Sequence, residues 1–349
     1  MNTEILSVTT GDSDYSKKIN RAASVIKRGG LVVFPTETVY GLGADATNPI
    51  AARKIYTAKG RPSDNPLIIH VANPADAEGY THTNKLYYKL AEAFMPGPLT
   101  VVLDAKETIP PETRGGLSTV AVRCPENKIA RDIISASGVP IAAPSANLSG
   151  TPSPTSAKHV IDDMMGRVDV IVDGGVSEFG LESTIVKIDS DDALTLLRPG
   201  KITVEDLRTV VSAIKIADAV TDKLADNEKA LSPGMKYRHY APSSPLVLLD
   251  GEADKVIDYI KSEGHSRVAV IAYEDEILHF EHALPSAVCY AFGKKGDEPT
   301  QARLLFSLLR DIDKKDFDKI YAPLPNKSGI GLALYNRMIR AAAHTIIKI

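Results

Sequence analysis

Short β-type runs alternate with helix-period stretches over the first two thirds of the chain, and this alternation restricts the fold more than any other feature. Ser16 to Arg28 places Ile19, Ala22, Ala23 and Ile26 at the spacing of a helix with one buried stripe. Gly29-Gly30 ends that helix, and Leu31–Phe34 reads as a strand stopped by Pro35. Further strands are expected at Leu67–Val71, Leu99–Leu103, Thr119–Val122, Val139–Ala142, Val168–Val172 and Ser183–Ile188. Helices are expected at Pro49–Ala58, Lys85–Phe94, Ile129–Ser137 and Thr155–Met164. Leu99–Leu103 and Thr119–Val122 have no helix between them, so the sheet is expected to be mixed rather than purely parallel.

The pattern breaks after about residue 215. Asp218 to Lys229 is polar and charged, and Leu231 to Pro245 reads LSPGMKYRHYAPSSP, a Pro-rich linker that nevertheless carries Lys236, Tyr237, Arg238, His239 and Tyr240 in a row. Beyond it the alternation resumes. Strands are expected at Leu246–Leu249, Val268–Ala272, Val288–Phe292 and Lys319–Ala322, with helices at Ala253–Ser262 and Gln301–Ile312. A final helix would align Tyr335, Met338, Ile339, Ala342 and Ile346. The expected organisation is therefore an α/β domain over 1–215, a linker over 216–244 and a small doubly wound parallel sheet over 245–349. A length of 349 residues suits two cores better than one.

Several classes are set aside by what the chain lacks. A net charge of −3 argues against coating nucleic acid through bulk positive charge. Two cysteines, Cys124 and Cys289, make neither a disulfide framework nor a Cys-rich metal site. The N-terminus has no signal-peptide pattern and no run is apolar enough to span a membrane, so a cytoplasmic protein is expected. There is no P-loop and no Gly-x-Ser-x-Gly elbow. Gly41-Leu-Gly43 and Gly329-Ile-Gly331 read as turns before they read as anion cradles, and His279-x-x-His282 reads as solvated surface before zinc.

The residues at the expected strand ends carry the chemistry. PTETVYGLG follows the Leu31–Phe34 run and puts Thr36, Glu37 and Thr38 at a strand's carboxyl end, where open α/β sheets bind ligands. In KGRPSDNPLIIH, Lys59 and Arg61 can converge on one anion, Asn65 supplies an amide, and His70 ends the next strand. APSANLSG offers Ser145, Asn147 and Ser149 after another strand. Arg123, Ser183 and Arg198 stand at three more strand ends, as a shared polyanion site would need.

Read together, PTETVYGLG, KGRPSDNPLIIH, APSANLSG, LESTI and LRPG resemble the YrdC/Sua5 family of L-threonylcarbamoyladenylate synthases, over roughly residues 15–205. The family's Lys-x-Arg and Ser-x-Asn signature stands here as Lys59, Arg61, Ser145 and Asn147, and SPGMKYRHYAP followed by a second domain resembles the longer Sua5 form. The resemblance implies a twisted mixed-sheet first domain with a cationic cavity and a Rossmann-like second domain. It implies a nucleotidyltransferase that makes threonylcarbamoyl-AMP and pyrophosphate from L-threonine, bicarbonate and ATP, with Mg²⁺ arriving on the ATP. The product would pass to a Kae1/TsaD-type transferase for the t6A modification of tRNA.

On that basis Lys59 and Arg61 are expected to act on the carboxy group and phosphates. Thr38, His70, Arg123, Ala143 and Ser183 are expected to hold threonine. Arg61, Asn65, Thr119, Ser145, Asn147, Ser153, Arg198 and Tyr237 are expected to hold ATP, with Tyr237–Tyr240 as a lid. The competing readings are a non-enzymatic protein that contacts double-stranded RNA or tRNA, and a carbamoyl transferase of the hydrogenase-maturation kind. The acidic balance weighs against the first, and the shortage of cysteines against the zinc fingers of the second.

Overall fold

The computed structural model of the chain describes residues 2–222 and 240–349. The chain divides into two compact units. The described part of the first is 2–149 and 153–220; that of the second is 150–152, 221–222 and 240–349.

In chain order the strands of the first unit are β1 (Glu4–Ser7), β2 (Val32–Phe34), β3 (Gly41–Asp45), β4 (Ile68–His70), β5 (Leu99–Asp104), β6 (Thr119–Arg123), β7 (Ile141–Ala142), β8 (Val170–Asp173), β9 (Thr184–Ser190), β10 (Ala193–Arg198) and β11 (Ala213–Ile216). Its helices are α1 (Tyr15–Lys27), α2 (Pro49–Lys59), α3 (Lys85–Phe94), α4 (Pro111–Arg114), α5 (Lys128–Ser137), α6 (Ala157–Met164) and α7 (Val204–Leu207). The strands form one sheet in the order β1-β8-β2-β3-β7-β4-β6-β5-β9-β10-β11. It is mixed as expected: β4/β6 and β5/β9 run parallel, whereas β5/β6, β3/β7 and β9/β10 run antiparallel.

Helices α1 and α5 bury their apolar stripes together over part of this sheet. Ile19, Ala22 and Ile26 meet Ile129, Ile133 and Ile134 above Val32, Phe34, Ile141 and Val170. Burial of that apolar area is the main favourable term, at about 25 cal/mol per Å².

Three expectations are corrected here. Gly41-Leu-Gly43 is neither a turn nor an anion cradle but the start of β3. A Cβ on Gly43 would lie 2.6 Å from Phe34 Cε1 and 2.7 Å from Ile141 Cγ2, so the glycine answers to packing. The first unit also runs past residue 215. Ala219 joins the core of Ile68, Val102, Ala121 and Ile185, and Val220 is fully buried, so two small apolar residues outweigh the polar look of the segment.

In the second unit the strands are β12 (Leu246–Asp250), β13 (Val268–Ala272), β14 (Val288–Ala291), β15 (Lys319–Pro323) and β16 (Ile346–Lys348). The helices are α8 (Ala253–Glu263), α9 (Ile277–Ala283), α10 (Glu298–Asp313) and α11 (Gly331–Ala341). The sheet order is β14-β13-β15-β12-β16 and every pairing is parallel. The third correction falls here: the last helix stops at Ala341, Ala343 and His344 take positive φ, and Ile346 pairs as an edge strand instead of extending the helical stripe.

Candidate active site

Four cross-strand pairings bring widely separated residues into one line. His70 stands opposite Arg123, Arg123 opposite Thr100, Thr100 opposite Ile185, and Ile185 opposite Arg198. Directly opposed residues share a face of a sheet, so His70, Arg123 and Thr100 point the same way. Two residues along each strand, backwards in β4 and β6 and forwards in the antiparallel β5, Ile68, Ala121 and Val102 lie on that same face and are buried with Ile185, Leu197 and Ala219. The polar line therefore borders an apolar floor at the carboxyl ends of β4 and β6.

The line is wired by hydrogen bonds. Arg198 donates from Nε to the Ser183 carbonyl at 3.0 Å and from Nη2 to Ser183 Oγ at 3.1 Å, while Ser183 Oγ lies 2.8 Å from Thr100 Oγ1. Gly200 makes this closeness possible: a Cβ there would sit 2.5 Å from the Thr184 nitrogen and 2.8 Å from the Glu182 carbonyl oxygen. Arg123 donates from Nη2 to Glu37 Oε1 at 2.5 Å and from Nε to the Gly97 carbonyl at 3.4 Å. The second Glu37 oxygen accepts from the Glu126 and Asn127 amides at 3.2 and 3.4 Å.

Both members of the Arg123–Glu37 pair are buried. Burial alone would raise the Glu37 pKa, but the Arg123 charge, its hydrogen bond and backbone amides outweigh it, so the carboxyl stays below its ordinary value. Burial, followed by the Arg123 charge, drives His70 down to about 3. His70 is thus a neutral imidazole, and its Nδ1 has no hydrogen-bond partner. Thr38 is fully buried beside this region, 2.9 Å from Thr36 between the hydroxyls.

A second group forms where α2 ends. Asn48 caps the helix through Ile50 N and Ala51 N, and Gly60 closes it at φ 63°. This fixes Lys59 as the last helical residue, and it reaches the loop after β7: its Nζ lies 2.5 Å from the carbonyl oxygens of both Ser145 and Asn147, and 3.3 Å from Asn147 Oδ1. Ser145 Oγ donates to Asn147 Oδ1 at 2.6 Å. Arg61 Nη2 holds the following turn through the Asn65 and Pro66 carbonyls at 3.3 and 2.9 Å, and Asn65 Oδ1 is buried without a partner. The two groups connect through Ala143, whose amide donates to the Ile68 carbonyl at 2.9 Å, and through a bridge between Gly41 and Ser145.

The remaining candidates are placed less tightly. Ser153 donates to Glu182 at 2.5 Å, next to Ser183. Thr119 starts β6, on the same face as Arg123 but at the opposite end of the strand, about 13 Å away at the usual rise per residue. Tyr237, Arg238 and His239 lie outside the described residues. Tyr240 is buried in the second unit, stacked on Phe306 at 5.0 Å. His279 pairs with Asp254 at 2.7 Å in an exposed position. Among the described residues no three His, Cys, Asp or Glu side chains gather as a metal cluster, and no helix is long and apolar enough to cross a membrane.

Sequence reasoning placed Glu37 at a ligand-facing strand end without giving it a partner, and did not name Thr100. Both left a signal: Glu37 is a lone acid between two threonines just after an apolar strand, and Thr100 interrupts an apolar strand on the Val102 face.

An open mixed sheet with two arginines, a neutral histidine and hydroxyls lined up at its strand ends defines an α/β protein built to hold a small molecule that carries an anionic group. The comparisons narrow this. The sequence profile of the Sua5/YciO/YrdC family, described as telomere recombination, matches residues 24–200, and that of the threonylcarbamoyl-AMP synthase C-terminal domain matches 202–343. The chain belongs to the Sua5/YrdC family, in its two-domain form.

Among its relatives, the threonylcarbamoyl-AMP synthase of Bacillus subtilis is 42% identical over 98% of this chain and 97% of its own. That of Pyrococcus abyssi is 43% identical, covering 95% and 96%. The crystal structure of P. abyssi Sua5 complexed with L-threonine superposes with a TM-score of 0.88 at 40% identity, covering 100% of both chains.

Proposed function

We propose that this chain is a threonylcarbamoyl-AMP synthase, a nucleotidyltransferase that joins L-threonine, bicarbonate and ATP and releases pyrophosphate. The observation that carries the reading is the Arg123 guanidinium, immobilised by Glu37 and Gly97 through Nη2 and Nε, with Nη1 left to take a substrate carboxylate beside the buried Ser183, Thr38 and His70. The family relatives named threonylcarbamoyl-AMP synthase and the threonine-bound P. abyssi structure support it.

The chemistry has two steps. The threonine amine adds to bicarbonate with loss of water, giving N-carboxy-threonine. A carboxylate oxygen of that species then attacks the α-phosphorus of ATP, the bond to the β-phosphate breaks, and pyrophosphate leaves. Two anions must approach each other, so fixed cations and dipoles contribute more than a dedicated base. His70, held near a pKa of 3, is too weak a base at neutral pH and acts by position, offering Nδ1 to the threonine hydroxyl or amine.

Arg61 and Lys59 bear on the carboxy group and phosphates, and Lys59 also pins the Ser145–Asn147 loop against the nucleotide. Asn65, Thr119, Ser153 and Arg198 complete the nucleotide contacts, and Ala143 lines the threonine side. Mg²⁺ enters on the triphosphate, which supplies its oxygen ligands. The product would be consumed by a Kae1/TsaD-type transferase acting on tRNA, which places the reaction in the cytoplasm.

Incubation with ATP, threonine and bicarbonate is expected to yield threonylcarbamoyl-adenylate by mass spectrometry and an equal amount of pyrophosphate. Lys59→Ala and Arg61→Ala should lose both products with the fold intact by circular dichroism. Failure of the unaltered chain to form the adenylate refutes the function; full activity of both variants refutes the assignment of the two cations.

A further inference from the structure

Strand β5 carries one polar residue within an apolar run. Leu99, Val101, Val102 and Leu103 are all buried, and Thr100 has no exposed surface. A hydroxyl in that setting is costly unless it is hydrogen-bonded, and a valine would fill the same space without one. The Thr100 hydroxyl is bonded: its one hydrogen-bond partner among the described residues is Ser183 Oγ, at 2.8 Å.

The direction of that bond follows from the donors present. The Arg198 guanidinium has donors only, so Ser183 Oγ accepts from its Nη2 at 3.1 Å. If Ser183 also donated to Thr100, the Thr100 proton would be buried with no acceptor among the described residues. Thr100 is therefore the donor. Ser183 Oγ then accepts twice, from Arg198 and from Thr100, and both of its lone pairs are filled. Its own proton is left over. A hydroxyl that could give or take becomes one that can only give.

Arg123 stands close to that proton. The Gly97 carbonyl accepts from Arg123 Nε at 3.4 Å, and the adjacent Pro98 carbonyl accepts at 2.9 Å from the amide of Thr184, which follows Ser183. Thr100 itself is directly opposite Arg123 across the β5/β6 ladder. One anionic group can thus meet Arg123 Nη1 and the Ser183 proton together.

We propose that Thr100 is a positioning residue for amino-acid binding: by donating to Ser183 it fixes that hydroxyl as a donor to the substrate carboxylate. Thr100 touches no substrate. The inference rests on the assignment of threonine to this line and adds the orientation of the amino acid. With its lone pairs filled, Ser183 has nothing to offer an ammonium group, so the carboxylate lies on this side and the amine points away from it.

Calorimetric titration of the full chain with L-threonine and the kinetics of pyrophosphate release test this together. Thr100→Val should weaken threonine binding about five- to tenfold, the range of one neutral hydrogen bond, and raise KM to match while kcat stays within about twofold. Thr100→Ser should restore affinity and KM to within about twofold, because it keeps the donor. In a Ser183→Ala background, adding Thr100→Val should change affinity by less than about twofold, since the group it acts through is gone. Thr100→Ala replaces the valine variant if thermal melts show that the latter does not fold. Full affinity without the Thr100 hydroxyl, failure of the serine to rescue, a loss confined to kcat, or an equal penalty with and without Ser183 overturns the proposal. No threonine binding by the unaltered chain sinks the functional reading and this inference with it; equal binding by the unaltered and valine chains sinks this inference alone.

Discussion

Among the residues, the buried triad of Glu37, Arg123 and His70 behaves as one electrostatic unit. Arg123 needs a buried counter-charge because an unpaired guanidinium in this setting costs several kcal/mol, and Glu37 provides it. The same guanidinium helps keep His70 neutral. Unfolding releases that constraint: between the ordinary value of 6.5 and about 3, the unfolded chain binds a proton at His70 that the folded chain refuses. Stability is therefore lost as pH falls through this window, by up to about 1.4 kcal/mol per pH unit from this group. Urea unfolding between pH 7 and 4.5 should show a shallower decline for His70→Asn than for the unaltered chain. Parallel declines would mean that His70 is already charged or exposed when folded.

The elements act on function through close approach. The LRPG turn presses against the start of β9 at Gly200, and there the obstacle is backbone, which cannot rotate aside. Gly200→Ala should push β10 away from Ser183, break the Arg198 contacts, and cost about 1–3 kcal/mol as forced overpacking. A raised KM for threonine with a smaller change in kcat is the expected kinetic signature; unchanged kinetics would show that the turn can yield. The motif was legible in the sequence, but this reason for its glycine was not, because the clash involves residues that meet only in the sheet. Likewise α3 is Lys85–Phe94 as periodicity predicts, since its apolar stripe is local information. Strand β3 was missed because its glycines satisfy packing against Phe34 and Ile141 rather than any β-type pattern. The candidate side chains were readable as types at strand ends; the Glu37 partnership was not, because its partner lies far along the chain and no local spacing encodes it.

For the whole molecule, the two units give a ligand-linked signature. Threonine bound only by the folded first unit stabilises that unit by about 2.7 kcal/mol at a hundredfold excess over its Kd. Hydrogen exchange should therefore slow in β4, β5, β6 and β9 on adding threonine, while the strands of the first unit remote from the line, such as β1, change less. Uniform protection across both units would argue against threonine binding at that line.

The strand order of the larger sheet carries one last implication. His70, Arg123, Thr100 and Arg198 become neighbours only through pairings between strands distant in the chain, with Arg198 supplied by the penultimate strand of its sheet. Synthesis of the first unit is therefore nearly complete before this line of side chains can form, and the line closes only when β10 pairs with β9.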